Sequence, residues 1–220
     1  MKKVLSLIVI LSLVVILTGC SFVPRTTTNT ATKIIEKTVD YGKNITKSAY
    51  LTKRNKLVII AQNNNTVDVD ITFEVEFYDS NNNLISSEKE YLSGVGAGAE
   101  VAVQIYDTPS SYYKYEIYAD TEKSTYSKTY FNDIELTHNR GENVVAQAKN
   151  NSNETIDYIT AAVVYYQGTT VVGYDSESAY DVKPGRSGNF NFYEPYDSSY
   201  DEVTYDSYKI FINEAYSYSY

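Results

Sequence analysis

From Leu57 to Tyr220 apolar and polar residues tend to alternate with period two, and no long stretch carries the spacing of an amphipathic helix. Ile71, Phe73, Val75 and Phe77 fall on one face, with Thr72, Glu74, Glu76 and Tyr78 on the other. Successive side chains of a strand point to opposite sides of a sheet, so this segment predicts a half-buried strand. The pattern then returns. Ile159, Ala161, Val163 and Tyr165 take the equivalent inward face 88 positions later. Other landmarks recur at 87: Ala61 with Ala148, Asn63 with Asn150, Val95 with Val182, Gly98 with Gly185, Val103 with Phe190, and Tyr106 with Tyr193. Tyr115 and Ile117 match Tyr208 and Ile210 at 93, so the second copy carries six extra residues before its last strand. Landmarks in constant order, with insertions confined to turns, predict a duplicated domain.

Each copy has about ninety residues and roughly six or seven short strands, the size and spacing of an immunoglobulin-like sandwich. The expected fold is therefore all-β: two tandem immunoglobulin-like β-sandwich domains, 51–122 and 123–220, after a signal peptide and a flexible stalk. The polar stretch Thr121 to Lys128, TEKSTYSK, marks the boundary. Domains of this length bury an adequate core without disulfides.

The first twenty residues change the setting. Lys2 and Lys3 precede an apolar run from Val4 to Leu17, too short for a comfortable membrane span, and LTGC closes it at Leu17 to Cys20. Residues 1–19 read as a signal peptide, and its exit resembles a bacterial lipobox. That resemblance implies a diacylglycerol on the Cys20 sulfur, cleavage before Cys20, and a protein held on the extracytoplasmic face of the cell membrane. Cys20 is the single cysteine, which excludes an internal disulfide and a cysteine metal site. Residues 20–50 read as the lipidated N-terminus and basic stalk. Ser21 to Lys56 holds eight Lys or Arg against Glu36 and Asp40, whereas Leu57 to Tyr220 holds nine against twenty-six Asp or Glu. The stalk is drawn to anionic headgroups and the acidic body pushed off them. The membrane and an envelope polymer or protein are the expected partners, and nucleic acid is not.

In the second copy an A-x-N-N-S start, an inward-alternating strand ending in an aromatic pair, a VVG, a V-x-P-G turn and an F-x-F strand follow in order. Ala148, Asn150, Asn151, Ser152, Tyr165, Tyr166, Gly173, Pro184, Gly185, Phe190 and Phe192 carry them. The arrangement resembles the FxLYD-type domain of bacterial surface proteins and lipoproteins. The first copy departs from it, with Ala97 at the turn proline and no F-x-F. The resemblance implies an immunoglobulin-like fold and an extracytoplasmic setting, and transfers no catalytic residue.

Candidate chemistry is sparse. His138 is the single histidine, no G-x-S-x-G is present, and lipidation consumes the thiol, so no catalytic residue is assigned. Asp79, Asn81, Asn83, Ser87 and Glu90 stand at EF-hand spacing, but Leu84 replaces the turn glycine and the flanks read as strands. Asp and Asn form turns without a metal, and no cofactor is expected. The remaining candidate is YEPYDSSYDEVTYDSY at Tyr193 to Tyr208, with five tyrosines, five acids and no base. Tyrosine offers a rigid face and a hydroxyl at small entropic cost, which suits sugars, peptides and flat protein surfaces. Tyr193, Tyr196, Tyr200, Tyr205 and Tyr208 are the candidate binding surface, against the plainer reading that tyrosine is this chain's ordinary strand former. The expected function is a non-catalytic binding or structural module of the envelope. Its alternatives are a hydrolase, with two carboxylates converging in a concave pocket, and a passive spacer.

Overall fold

A computed structural model describes residues 40–125 and 128–218. The first half contains β1 (Ile45–Leu51), β2 (Leu57–Asn63), β3 (Val69–Tyr78), β4 (Leu84–Val95), β5 (Glu100–Ile105) and β6 (Lys114–Lys123). The second contains β7 (Lys128–Thr129), β8 (Ile134–Arg140), β9 (Val144–Asn150), β10 (Ile156–Gln167), β11 (Thr170–Val182), β12 (Ser187–Phe192) and β13 (Ser207–Ser217). Two 3-10 turns, Tyr41–Asn44 and Phe131–Asp133, complete the regular structure. The expected signal peptide and its Cys20 lie outside the described residues.

The fold is all-β, and among the described residues every strand pair is antiparallel. Sheet β1-β2-β5 faces sheet β4-β3-β6 in the first half; sheet β8-β9-β12 faces sheet β11-β10-β13-β7 in the second. Equivalent strands take equivalent places, and the order follows the A-B-E and C′-C-F sheets of immunoglobulin-like sandwiches. One boundary needs correction. The segment expected as stalk up to residue 50 has already joined the fold, since Tyr41–Asn44 forms a turn and β1 pairs with β2 from Ile45↔Asn63 to Leu51↔Leu57. As an edge strand β1 keeps Lys47 and Ser48 in solvent and fully buries only Ile45, so its alternation is faint.

Asn63 and Asn150 hold the two sandwiches together in the same way. Both are fully buried. The Asn63 Nδ2 donates to the carbonyls of Val67, Val95 and Gly96 at 3.0–3.1 Å, and its Oδ1 accepts from the Asn65 N–H. The Asn150 Nδ2 donates to Glu154 and Val182 at 2.7 Å, and its Oδ1 accepts from the N–H and hydroxyl of Ser152. The partners Val67 and Glu154, Val95 and Val182, and Asn65 and Ser152 all stand 87 apart. Gly98 and Gly185, at φ +76° and +70°, return their N–H to the carbonyls of Asn63 and Asn150, a left-handed turn that glycine adopts without cost.

The two halves pack face to face. In β3 the outward Glu74 and Glu76 are half-exposed, but in β10 the outward Ala162 and Val164 are fully buried, like the inward Ala161, Val163 and Tyr165. A strand covered on both faces reads as a continuous apolar run, which is what AAVVYY is. The cover is the outer face of β1-β2-β5: Val58 and Ala102 form one apolar cluster with Ala162, Val164, Val171 and Phe211, flanked by Tyr50, Ile60, Tyr166 and Tyr174. Four sheets therefore stack in layers, and Val39–Tyr220 forms one compact unit. The outermost faces do not repeat this chemistry. Ile60 and Ala102 correspond to Gln147 and Asn189, which are exposed, so polar residues end the stack at two sandwiches.

A bulge completes the seam. The β10–β13 register passes from Ala161↔Ile212 to Thr160↔Glu214, leaving Asn213 as an extra residue with no counterpart in β6. Bulges re-aim side chains, and here Asn213 and Glu214 both reach the first half. Asn213 pairs with Ala102 in both directions, Oδ1 accepting from its N–H at 2.9 Å and Nδ2 donating to its carbonyl at 2.7 Å. The Glu214 carboxyl accepts from the Ser93 N–H at 2.7 Å and the Thr160 hydroxyl at 3.0 Å. Burial pushes the Glu214 pKa upward against these hydrogen bonds, with the Asp70 charge adding to the push. A carboxyl whose pKa is raised by folding contributes stability below its ordinary 4.5, and that contribution is lost as pH rises through the raised value. Glu214→Gln can keep a partner for each bond. Urea titrations across that window should show a fall in wild-type stability relative to Glu214→Gln as pH rises; parallel curves for the two proteins would contradict it.

Candidate functional site

Where the layers part, a cleft of about 280 Å³ opens between the halves. The β1–β2 turn contributes Thr52 and Arg54, and β5 with its end contributes Gln104 and Tyr106. The opposite wall is Gly173, Tyr174 and Asp175 of β11, with Tyr193 to Tyr196 from the loop between β12 and β13. That loop contains the six-residue insertion inferred from the repeat. Asp175 anchors it by accepting the Tyr193 N–H at 2.7 Å, and Tyr165 donates its hydroxyl to the Tyr193 carbonyl at 2.9 Å. Burial raises the Asp175 pKa, opposed by the Tyr193 and Ser176 N–H groups.

The predicted tyrosines do not share one face. Tyr193, 62% exposed, and the half-buried Tyr196 line the cleft. Tyr200, 74% exposed, is held at φ +67° by the Asp197–Asp201 turn and meets the Arg54 guanidinium 5.2 Å from its ring centre, a contact across the seam. Tyr205 is core: it packs 4.7 Å from the Tyr165 ring, donates to Glu194 at 2.8 Å, and lies 3.9 Å beneath the Arg140 guanidinium. Burial, then the Glu194 bond, pushes its phenol up to about 12. Tyr208 lies on β13 and meets the His138 Nδ1 at 3.0 Å. Three of the five thus reach the seam. Tyr208 follows the plainer strand reading, and Tyr205, in the loop before β13, turns into the core of the sandwich.

Arg54 and Gln104 were not singled out in the sequence, and Tyr106 only as a repeat landmark, since nothing in the local pattern says that β5 and the β1–β2 turn face the insertion loop. One signal existed: Tyr106 and Tyr193 are repeat equivalents, and both border this cleft.

A second recess of about 180 Å³ follows along the seam and shares Gln104, Tyr106 and Tyr174 with the first. Glu90, Glu177 and Glu214 line it, and burial raises the Glu90 pKa. Both Glu214 oxygens are taken by Ser93 and Thr160, so that carboxyl serves as a tie between sheets. At the EF-hand-like hairpin, Asp79 accepts from the Asn81 and Asn83 N–H groups at 2.8 Å and from the Asn83 side chain, which holds its pKa down as in an Asx turn. Among the described residues no group of three or more His, Cys, Asp or Glu is placed to hold a metal ion.

Gly173 sets the cleft's shape. A β-carbon there would lie 2.2 Å from the Pro195 Cβ, so the loop can seat on β11 only against glycine. Gly173→Ala should push out Pro195 with its neighbours Tyr193 and Tyr196, costing about 2 kcal/mol as overpacking does. Chemical denaturation would register that loss, and an unchanged midpoint would contradict the contact.

No protein-family model matches this chain, and no curated protein matches it. Among solved structures it is similar to red sea bream transglutaminase, at 7% identity, over 67% of this chain and 31% of that one, with a TM-score of 0.23. So faint a likeness contributes nothing to the reading of the site.

Proposed function

We propose that this chain is a lipid-anchored, non-catalytic binding module of the bacterial cell envelope that takes its ligand in the cleft between the halves. The observation that carries the reading is the cleft's composite wall: Arg54, Gln104 and Tyr106 come from the first copy, and Tyr193 and Tyr196 from the loop that distinguishes the second. Aromatic faces with polar side chains at their edges are what a small recess needs to hold and orient a ligand. The lipobox and the FxLYD-type pattern support the setting. Through the Cys20 lipid the module stands on the outer face of the cell membrane, with its acidic body turned away from anionic headgroups.

The full-length chain, mixed with solubilised native envelope, should lose at least about tenfold in retention when Arg54, Tyr193 and Tyr196 are changed together to alanine, the scale of central aromatic and arginine contacts. Equal retention removes the cleft as the site. In the same cells Cys20→Ala should abolish palmitate labelling and release the protein from the membrane fraction; persistent labelling overturns the anchor.

A further inference from the structure

The floor of the seam groove is the free edge of a strand. β5 pairs on one side with β2 and, among the described residues, has no strand on the other. In an antiparallel strand the N–H and C=O of alternate residues point to the same edge. Those of Ala102 point away from β2, since both are bonded to Asn213, and the Tyr174 hydroxyl also donates to the Ala102 carbonyl at 3.2 Å. Four residues on, the Tyr106 carbonyl is also occupied, because Lys56 Nζ donates to it. Gln104 lies between them with the same outward orientation as Ala102. Among the described residues no hydrogen bond reaches its backbone N–H or C=O, and Gln104 lines both recesses.

The charges around this edge are mostly negative. Asp175, Glu194, Glu90 and Glu177 line the groove against Arg54, with Lys56 at the Tyr106 carbonyl at its end, and none of the four acids forms an ion pair among the described residues. Burial raises the pKa of Asp175 and of Glu90, and the neighbouring Glu177 and Asp107 charges add to the respective shifts. Elsewhere in the fold acids are supplied with lysines, as in Lys128–Glu154 at 2.7 Å and Lys149–Glu135 at 3.3 Å.

We propose that the seam groove binds an extended peptide carrying lysine or arginine, added as a short strand at the Gln104 edge, with its basic side chains toward Glu90 and Glu177. Strand addition supplies main-chain hydrogen bonds, and alternate side chains then reach the two walls. The cleft tyrosines Tyr106 and Tyr193 cover the peptide at one end, and the acidic recess reads its charge at the other. Asn213 limits the register by occupying Ala102, so the peptide pairs at Gln104 and runs outward. This identification of the ligand rests on the reading that the seam cleft is the binding site.

The test is fluorescence anisotropy with the full-length chain in detergent and a labelled hexapeptide of alternating lysine and valine. Binding should weaken about tenfold when the peptide backbone is N-methylated at alternate residues, the effect of losing one or two hydrogen bonds. Gln104→Pro should do the same, because its N–H faces away from β2 and its loss leaves the β2 ladder whole. Glu90→Gln with Glu177→Gln should weaken binding and flatten its dependence on salt. Equal affinity for the N-methylated peptide overturns strand addition without reliance on any variant. If an oligomer of N-acetylglucosamine binds in a Tyr193-dependent manner and the peptide does not, the seam remains the site and the peptide identification is wrong. Envelope retention indifferent to Tyr193 and Tyr196 would remove the underlying reading itself.

Discussion

Asn150→Ala should destabilise the second sandwich by about 3 kcal/mol, since each buried partner left without its hydrogen bond costs roughly 1–3 kcal/mol. The Val182 carbonyl loses the Asn150 donor and the Ser152 N–H its acceptor, while the Glu154 carbonyl and the Ser152 hydroxyl each lose one partner and keep only each other at 3.0 Å. Asn63→Ala should act alike in the first sandwich, where Nδ2 serves three carbonyls. Aspartate is no remedy, because it would aim a carboxylate at carbonyl oxygens with no proton to share. Urea midpoints of the single variants check both, and a loss of under about 0.5 kcal/mol, the range of neutral surface changes, would show that the asparagines do not hold the turns.

Ala162→Glu should be comparably severe, at about 4 kcal/mol, the scale of burying an unpaired charge. Its position is fully enclosed by the seam cluster. The first copy carries glutamate at the equivalent position 74, where Lys89 pairs with it at 3.3 Å on an outer face. The variant therefore gives β10 the outward chemistry of β3 and should part the halves without emptying either core. Calorimetry should change from one transition to two, and ligand retention should fall because the cleft needs both walls. A single transition at the wild-type temperature would mean the seam contributes little to cooperativity.

The duplication, the strand pattern and the hairpin positions were legible in the sequence, because each inward residue belongs to a period that survives substitution. The buried asparagines were visible as landmarks at 63 and 150, but their role was not, since a buried polar group is recognised by its partners and these lie up to 33 residues away. The seam was hidden for a related reason. AAVVYY stands against FEVEFY, and the seam is marked by the outward Ala162 and Val164 in place of Glu74 and Glu76; an apolar outward face says that something covers it without saying what. Asn213 was invisible for the opposite reason, being one residue inserted within a strand whose alternation recovers at once. The tyrosine-rich loop was correctly located as the part the copies do not share, yet period two could not sort Tyr193 and Tyr196, which face the cleft, from Tyr205 and Tyr208, which turn inward. That sorting depends on Pro195 seating against Gly173 and on the Tyr193 backbone being held by Asp175 and Tyr165.

A ligand seated in the seam should touch position 196 and not the far face of the second sandwich. The most direct test replaces Tyr196 with a photo-activatable phenylalanine in the full-length chain, and in a parallel protein does the same at Asn189 on the exposed face of β12. After illumination with native envelope, a covalent adduct from position 196 and none from 189 is the predicted result. Adducts from 189 alone, or equally from both, would contradict it.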